Sequence, residues 1–256
     1  VKAPVRDTPR RGIPLRALIP NAITALALCF GLTGVRFAIA GQWEQAVAAI
    51  VFAGILDGMD GRIARALKGQ SRFGAELDSL SDVIAFGVSP AVVIYLWSLQ
   101  YLPKVGWIFA LAHAVCAALR LARFNANIDV EDQPHKSAGF LTGVPAPAGA
   151  GLALLPLILW MWTGIPELRE VYVVAPWAAF VAFLLISNLA TFSWTSLRLR
   201  SSMRLGALVV IALVGAALVS APWPTLSVVS IIYALLIPFS IASYRKVKRQ
   251  RAAAAR

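Results

Sequence analysis

The sequence predicts an all-α membrane protein, a polytopic bundle of about eight transmembrane helices. Three observations carry that expectation. Of 256 residues, 59% are hydrophobic and only 14% are charged, too apolar a balance for one water-soluble domain. Apolar runs long enough to cross a bilayer lie near 20–40, 44–66, 76–98, 105–126, 145–163, 171–190, 204–220 and 224–244. Lys and Arg fall almost entirely in alternate connections, as basic loops do when they fix orientation.

Taken in order, residues 1–18 form a basic segment with Lys2, Arg6, Arg10, Arg11 and Arg16. The first apolar run is longer than a signal-peptide core and lacks a clear small-residue cleavage site, so it reads as a retained helix. Breaks between runs are marked by Ala40-Gly41-Gln42, Leu102-Pro103, Gly164-Ile165-Pro166 and Ala221-Pro222-Trp223-Pro224. The second and third runs meet at the polar turn Lys68-Gly69-Gln70-Ser71, and their polar inner ends are expected to project beyond the hydrocarbon. No tandem repeat or linker divides the chain, which reads as one membrane domain over 19–244 and a basic tail over 245–256.

Net charge is +12, and all but three of the 24 Lys and Arg residues sort to one side, the exceptions being Arg36, Lys104 and Arg169. The majority side includes Arg62, Arg65, Lys68, Arg72, Arg120, Arg123, Lys136, Arg198, Arg200, Arg204 and the tail. Both termini and the loop around Lys68 are therefore expected in the cytoplasm, with the chain in the inner membrane. The basic balance attracts anionic lipid; with no soluble basic module, nucleic acid is excluded as a partner. Trp43, Trp107, Trp160, Trp162 and Trp223 suit interfacial anchoring. Cys29 and Cys116 read as single buried thiols, His113 as a packed core residue and His135 as a loop residue, none with a partner at metal-ligand spacing.

The acids contradict the apolar background. Five of the 12, Asp57, Asp60, Glu76, Asp78 and Asp82, fall within one short window. Residues three and four apart share a helix face, so Asp57 joins Asp60 and Asp78 joins Asp82, two pairs facing across a short turn. Carboxylates so placed repel one another, and a divalent cation relieves the conflict; an all-oxygen set suits Mg²⁺ or Mn²⁺. Gly58, Gly61, Ala64 and Gly74 strip bulk from the facing helices, so a phosphate or planar base can approach the backbone. Arg65 supplies a fork donor for a diphosphate, and Lys68 and Arg72 add positive potential. Acids in a membrane also serve ion or proton transporters, and small residues also serve helix packing. The glycines between the acids and the basic turn favour a phosphoryl-transfer site over both.

The pattern D-x2-D-G-x2-A-R-x8-G-x3-D-x3-D, running from Asp57 to Asp82, resembles the CDP-alcohol phosphatidyltransferase motif at all eight fixed positions. The resemblance implies integral-membrane enzymes, commonly homodimers. It implies that Asp57, Asp60 and Asp78 hold metal and that Asp82 is the general base, placed to touch a second ion as well. Gly61, Ala64, Arg65 and Gly74 would line the cytidine diphosphate pocket. Ser71, and Asn21 and Thr24 at the start of the first helix, join them as candidates for the CDP-lipid; Asn21 and Thr24 otherwise cap that helix.

Flanking segments bear on the acceptor alcohol. Ser71 to Asp82, Phe86-Gly87-Val88-Ser89-Pro90, Leu119 to Asn125, Phe140 to Pro147 and Ile19 to Thr24 resemble the family members that use serine. The resemblance runs in patches from about residue 10 to 200, and the last two helices carry no signal. It implies transfer of a phosphatidyl group from CDP-diacylglycerol to L-serine, with a sibling using glycerol 3-phosphate as the alternative. Serine needs a cation for its carboxylate, and Arg120 and Arg123, three apart on one helix face with Asn125 nearby, are the candidates. They equally satisfy the orientation rule or contact the lipid phosphate.

Overall fold

A computed structural model describes residues 15–126, 140–192 and 201–254. Lys2, Arg6, Arg10, Arg11, His135, Lys136, Arg198, Arg200 and Arg256 lie outside them. The described chain is nearly all helix: α1 (Leu15–Ile39), α2 (Trp43–Ala66), α3 (Arg72–Asp82), α4 (Ser89–Trp97), α5 (Gly106–Ala126), α6 (Ala146–Ala153), α7 (Leu155–Thr163), α8 (Val171–Ile186), α9 (Ser201–Ser220) and α10 (Pro222–Ala254). A π-helical turn, Val83–Val88, joins α3 to α4 without a break.

Every apolar run expected from the sequence contains a helix, although that over 171–190 ends its helix at Ile186, and not every one has the length and apolarity of a span. Among the described residues, Arg16–Ile39, Arg72–Trp97, Gly106–Ala126 and Pro222–Val247 qualify, and the bent pair α6–α7 makes a fifth if counted as one span. Helix α2 does not, because Asp57, Asp60, Arg62 and Arg65 occupy its last three turns. Val171–Ile186 and Leu205–Ser220 are apolar but shorter. These helices make the chain a membrane protein.

The breaks have local causes. Gly41 and Gly164 adopt positive φ where helices end, and Gly164 closes α7 in the left-handed conformation. The run expected over 145–163 bends by 45° between α6 and α7. Pro156 has no N–H to give the carbonyl of Leu152, one turn earlier, and the indole Nε1 of Trp177 donates to that carbonyl instead at 2.7 Å.

Among the described residues, one feature departs from an all-α fold. Phe140–Thr142 and Ala190–Phe192 pair as a two-stranded antiparallel ribbon, β1 and β2, with Leu141 opposite Thr191. Thr191 Oγ1 donates to the Gly143 carbonyl at 2.8 Å, and Gly143 N–H donates to the Leu189 carbonyl at 2.7 Å. The ribbon holds the entry to α6 against the exit from α8.

Helix α1 packs along α2 and contacts α3, the π turn and α4. The turn between α2 and α3 is pressed against the start of α1: a Cβ at Gly69 would collide with the Arg16 carbonyl. Towards the opposite end, Trp97, Leu157, Ile158, Val93 and Val47 form the largest buried cluster. Arg169 locks that end, with Nε donating to the Trp97 carbonyl at 3.0 Å while Ser98 Oγ donates to the Arg169 carbonyl at 2.6 Å.

Candidate active site

The last turns of α2 and the length of α3 bring the four aspartates together. One carboxylate oxygen from each of Asp57, Asp60 and Asp78 lies within 4.8 Å of the other two. Asp60 is buried at 5% exposure, and the Thr24 hydroxyl donates to its Oδ2 at 2.6 Å. Thr24, itself 4% exposed, therefore belongs to the aspartate cluster through Asp60. Its carbonyl accepts from Ser81 Oγ at 3.3 Å, which ties α1 to α3 one residue before Asp82.

Ser71 caps α3: its extended backbone starts the helix and its Oγ accepts from Gly74 N–H at 3.0 Å. Gly74 is glycine for a steric reason. A Cβ there would stand 2.7 Å from Asn21 Oδ1 and 3.1 Å from Ser71 Oγ, so α1 and α3 meet over its bare Cα. On α2, a Cβ at Gly58 would meet nothing within 4 Å, and one at Gly61 would meet only Arg65 Nη1, at 3.5 Å. With Ala64 this makes one side of α2 open, bordered by the exposed Arg65.

Asp82 adjoins the triad at Asp57. Its carboxyl faces that of Asp57 within hydrogen-bonding reach and interacts with the Arg120 guanidinium. Asp82 Oδ1 and Arg120 Nε are buried without a hydrogen-bond partner among the described residues. The two arginines of α5 then part company. Arg123 Nη1 donates to the Ile186 carbonyl at 2.9 Å and to Asn188 Oδ1 at 2.7 Å, and Nη2 donates to the Ser187 carbonyl at 3.1 Å. These bonds close the C-terminus of α8, where carbonyls lack helical partners. Asn125 Nδ2 donates to Ser79 Oγ at 2.9 Å, so the end of α5 is tied to the residue after Asp78.

The triad suits a hard divalent cation. Its ligands are all carboxylate oxygens, drawn from two helices that Thr24 and Ser81 tie to α1, and no thiol or imidazole is among them. His113 is fully buried with Nε2 3.3 Å from the Phe86 carbonyl in the π turn, and packs as expected.

Two features carried no sequence signal. An inserted π residue leaves the apolar pattern of the third run intact, so the turn that follows Asp82 cannot be read from hydropathy. Tyr233 is one aromatic among many in α10, yet it interacts electrostatically with Arg120.

Comparisons with known proteins point to one family. The family model described as CDP-alcohol phosphatidyltransferase matches residues 17–186, and a second, CDP-alcohol phosphatidyltransferase 2, matches residues 202–238. The chain is 42% identical over 236 residues to a CDP-diacylglycerol–serine O-phosphatidyltransferase of Mycobacterium bovis, covering 92% of this chain and 82% of the relative. It is 39% identical over 240 residues to the enzyme of that name from Mycobacterium leprae, covering 94% and 79%. Against that from Helicobacter pylori it is 37% identical over 142 residues, 56% of this chain and 58% of the relative.

Proposed function

The chain belongs to the CDP-alcohol phosphatidyltransferase family, and from this footing we propose that it transfers the phosphatidyl group of CDP-diacylglycerol to L-serine, yielding phosphatidylserine and CMP. The observation that carries the reading is the aspartate cluster: carboxylate oxygens of Asp57, Asp60 and Asp78 converge on one locus, and Asp82 adjoins it beside Asp57.

In this reading Asp57, Asp60 and Asp78 hold Mg²⁺ or Mn²⁺, with Asp82 close enough to touch a second ion. The metal, when bound, supplies charge stabilisation for the diphosphate oxygens. Arg65 borders the cytidine diphosphate pocket, and Gly61, Ala64 and Gly74 leave room for the nucleotide against the backbone; Asn21 and Ser71 close its α1–α3 edge. Asp82 accepts the proton of the serine hydroxyl as that oxygen bonds to the lipid-side phosphorus. The phosphorus–oxygen bond to CMP breaks, and CMP departs as the anion. Arg120 holds the serine carboxylate beside Asp82, Asn125 supports α3 through Ser79, and Arg123 fixes the floor under Arg120 by holding α8.

The distribution of Lys and Arg supports a cytoplasmic active site and cytoplasmic termini in the inner membrane, where serine and metal reach a lipid-anchored nucleotide. Residues 19–244 act as one membrane domain of eight crossings, with α2, α8 and α9 completing the count, and the protein works as a homodimer. The acyl chains stay in the bilayer throughout.

The test is CMP release by purified protein from CDP-diacylglycerol with L-serine, glycerol 3-phosphate or inositol as acceptor. The reading predicts release with serine alone, abolished by chelation of divalent cations. Release with glycerol 3-phosphate instead would overturn the acceptor, and ion flux in liposomes without CDP-lipid would overturn the enzyme reading.

A further inference from the structure

The span Arg72–Trp97 runs through α3, the π turn and α4 without a break, and the turn decides which face of α3 looks inward. In α4 the buried face holds Pro90, Ile94 and Trp97. At 3.6 residues per turn, an unbroken α-helix would carry that face back through Phe86 to Val83, Ser79 and Glu76. Glu76 is exposed instead, and the inward positions include Asp82, Asp78 and Gly74. The residue gained in the π turn accounts for the difference, because one residue rotates a helix by about 100°. Two carboxylates of the site therefore owe their direction to Val83–Val88, which lies beyond the aspartate motif.

The turn has a local cause and a support from outside. Pro90 lacks an N–H, and its ring crowds the carbonyl four residues earlier, that of Phe86, so the α register is disfavoured there. The carbonyl left without that helical donor meets His113 Nε2 of α5 at 3.3 Å. A carbonyl only accepts, so Nε2 carries the proton and donates. His113 is fully buried, and the turn around its bond is seated closely on two sides. A Cβ at Gly31 of α1 would stand 2.8 Å from Ala85 Cα, and one at Gly87 would stand 3.1 Å from Ala117 Cβ of α5. Phe86 itself packs in a buried cluster with Ala53 of α2, Leu121 of α5, and Ala146 and Ala150 of α6.

Resting on the roles given above to Asp78 as a metal ligand and Asp82 as the base, we infer that His113 is a positioning residue. Its hydrogen bond to the Phe86 carbonyl holds the π register that turns both carboxylates into the site. Without that donor the π register leaves a buried carbonyl short of a partner and is no longer favoured. Asp78 and Asp82 then lose their fixed direction, while Asp57 and Asp60 on α2 keep theirs.

The experiment compares the whole chain with His113→Leu and His113→Gln in detergent micelles. It reads Mn²⁺ binding by electron paramagnetic resonance without substrate, CMP release across a Mn²⁺ titration, and a thermal melt. Leucine removes the donor, whereas the glutamine amide returns an N–H at the reach of Nε2. The expected result for His113→Leu is a Mn²⁺ dissociation constant raised about tenfold or more, the loss typical of removing a group that orients a metal ligand. CMP release stays low at saturating Mn²⁺, because Asp82 turns with Asp78, and His113→Gln largely restores both. An unchanged Mn²⁺ dissociation constant in folded His113→Leu overturns the inference, and so does a loss that His113→Gln does not restore, which marks a packing defect. If His113→Leu does not fold, the double variant Pro90→Ala with His113→Leu decides, because the N–H regained at position 90 pairs the carbonyl in the α register. Weak Mn²⁺ binding by that folded variant supports the inference, and full binding overturns it. Weakened Mn²⁺ binding with CMP release recovered at saturating metal supports His113 and removes Asp82 as the base. If the unsubstituted chain binds no Mn²⁺, the metal reading fails by itself, and CMP release by the variants judges His113.

Discussion

Replacing Thr24 by Val removes one hydroxyl from the aspartate cluster while keeping the branched shape of a residue that is 4% exposed. The hydroxyl donates to Asp60 Oδ2 at 2.6 Å, a short contact of the charge-assisted kind. Such bonds contribute about 1.5–3 kcal/mol. The Pro20 carbonyl, 3.1 Å from the same hydroxyl, competes for its one proton, so the lower part of that range applies. About 1.5–2 kcal/mol corresponds to roughly a ten- to thirtyfold effect. Because the bond orients one ligand of the triad, the loss should appear as a ten- to thirtyfold higher Mn²⁺ concentration for half-maximal CMP release, with the rate largely recovered at saturating metal. The assay is CMP release across a Mn²⁺ titration, with a thermal melt to show that the variant folds. An unchanged Mn²⁺ midpoint, or a lower rate that no metal concentration restores, would refute the coupling of Thr24 to metal binding through Asp60.

Gly74→Ala places a Cβ 2.7 Å from Asn21 Oδ1, and overpacking of about 1–3 kcal/mol should raise KM for CDP-diacylglycerol with little change in that for serine. Arg123→Ala loses its bonds at the end of α8, costing about 1–2 kcal/mol at this partly exposed site and lowering the melting temperature by roughly 2–8 °C. Arg120→Ala should instead raise the serine KM by tenfold or more, so melting curves and serine titrations of the two variants should separate them. Asp82→Asn should abolish turnover while CDP-diacylglycerol binding, followed by titration, stays intact; retained turnover would remove Asp82 as the base.

Much of this was legible because apolar runs and turn residues report directly on helices. Gly41, Pro103, Gly164 and Pro222 stand where helices end or begin, and the spacing of Asp57, Asp60 and Asp78 was enough to place three carboxylates in one cluster. Other parts depend on contacts between distant segments, which no local pattern encodes. The ribbon of Phe140–Thr142 with Ala190–Phe192 is too short for strand alternation to register. Arg120 and Arg123 look alike on one helix face, and only the position of α8 assigns one to main-chain carbonyls and leaves the other beside Asp82. Thr24 reads as a cap or phosphate ligand from its place in α1, yet it is the packing of α1 on α2 that sets its hydroxyl on Asp60.

The most direct test of the central claim is transfer of labelled L-serine into lipid by purified protein supplied with CDP-diacylglycerol and Mn²⁺ or Mg²⁺. The account predicts labelled phosphatidylserine and CMP in equal amounts, and neither when serine, CDP-diacylglycerol or the divalent cation is withheld. CMP formed without lipid labelling, or lipid labelling that persists in a chelator, would contradict it.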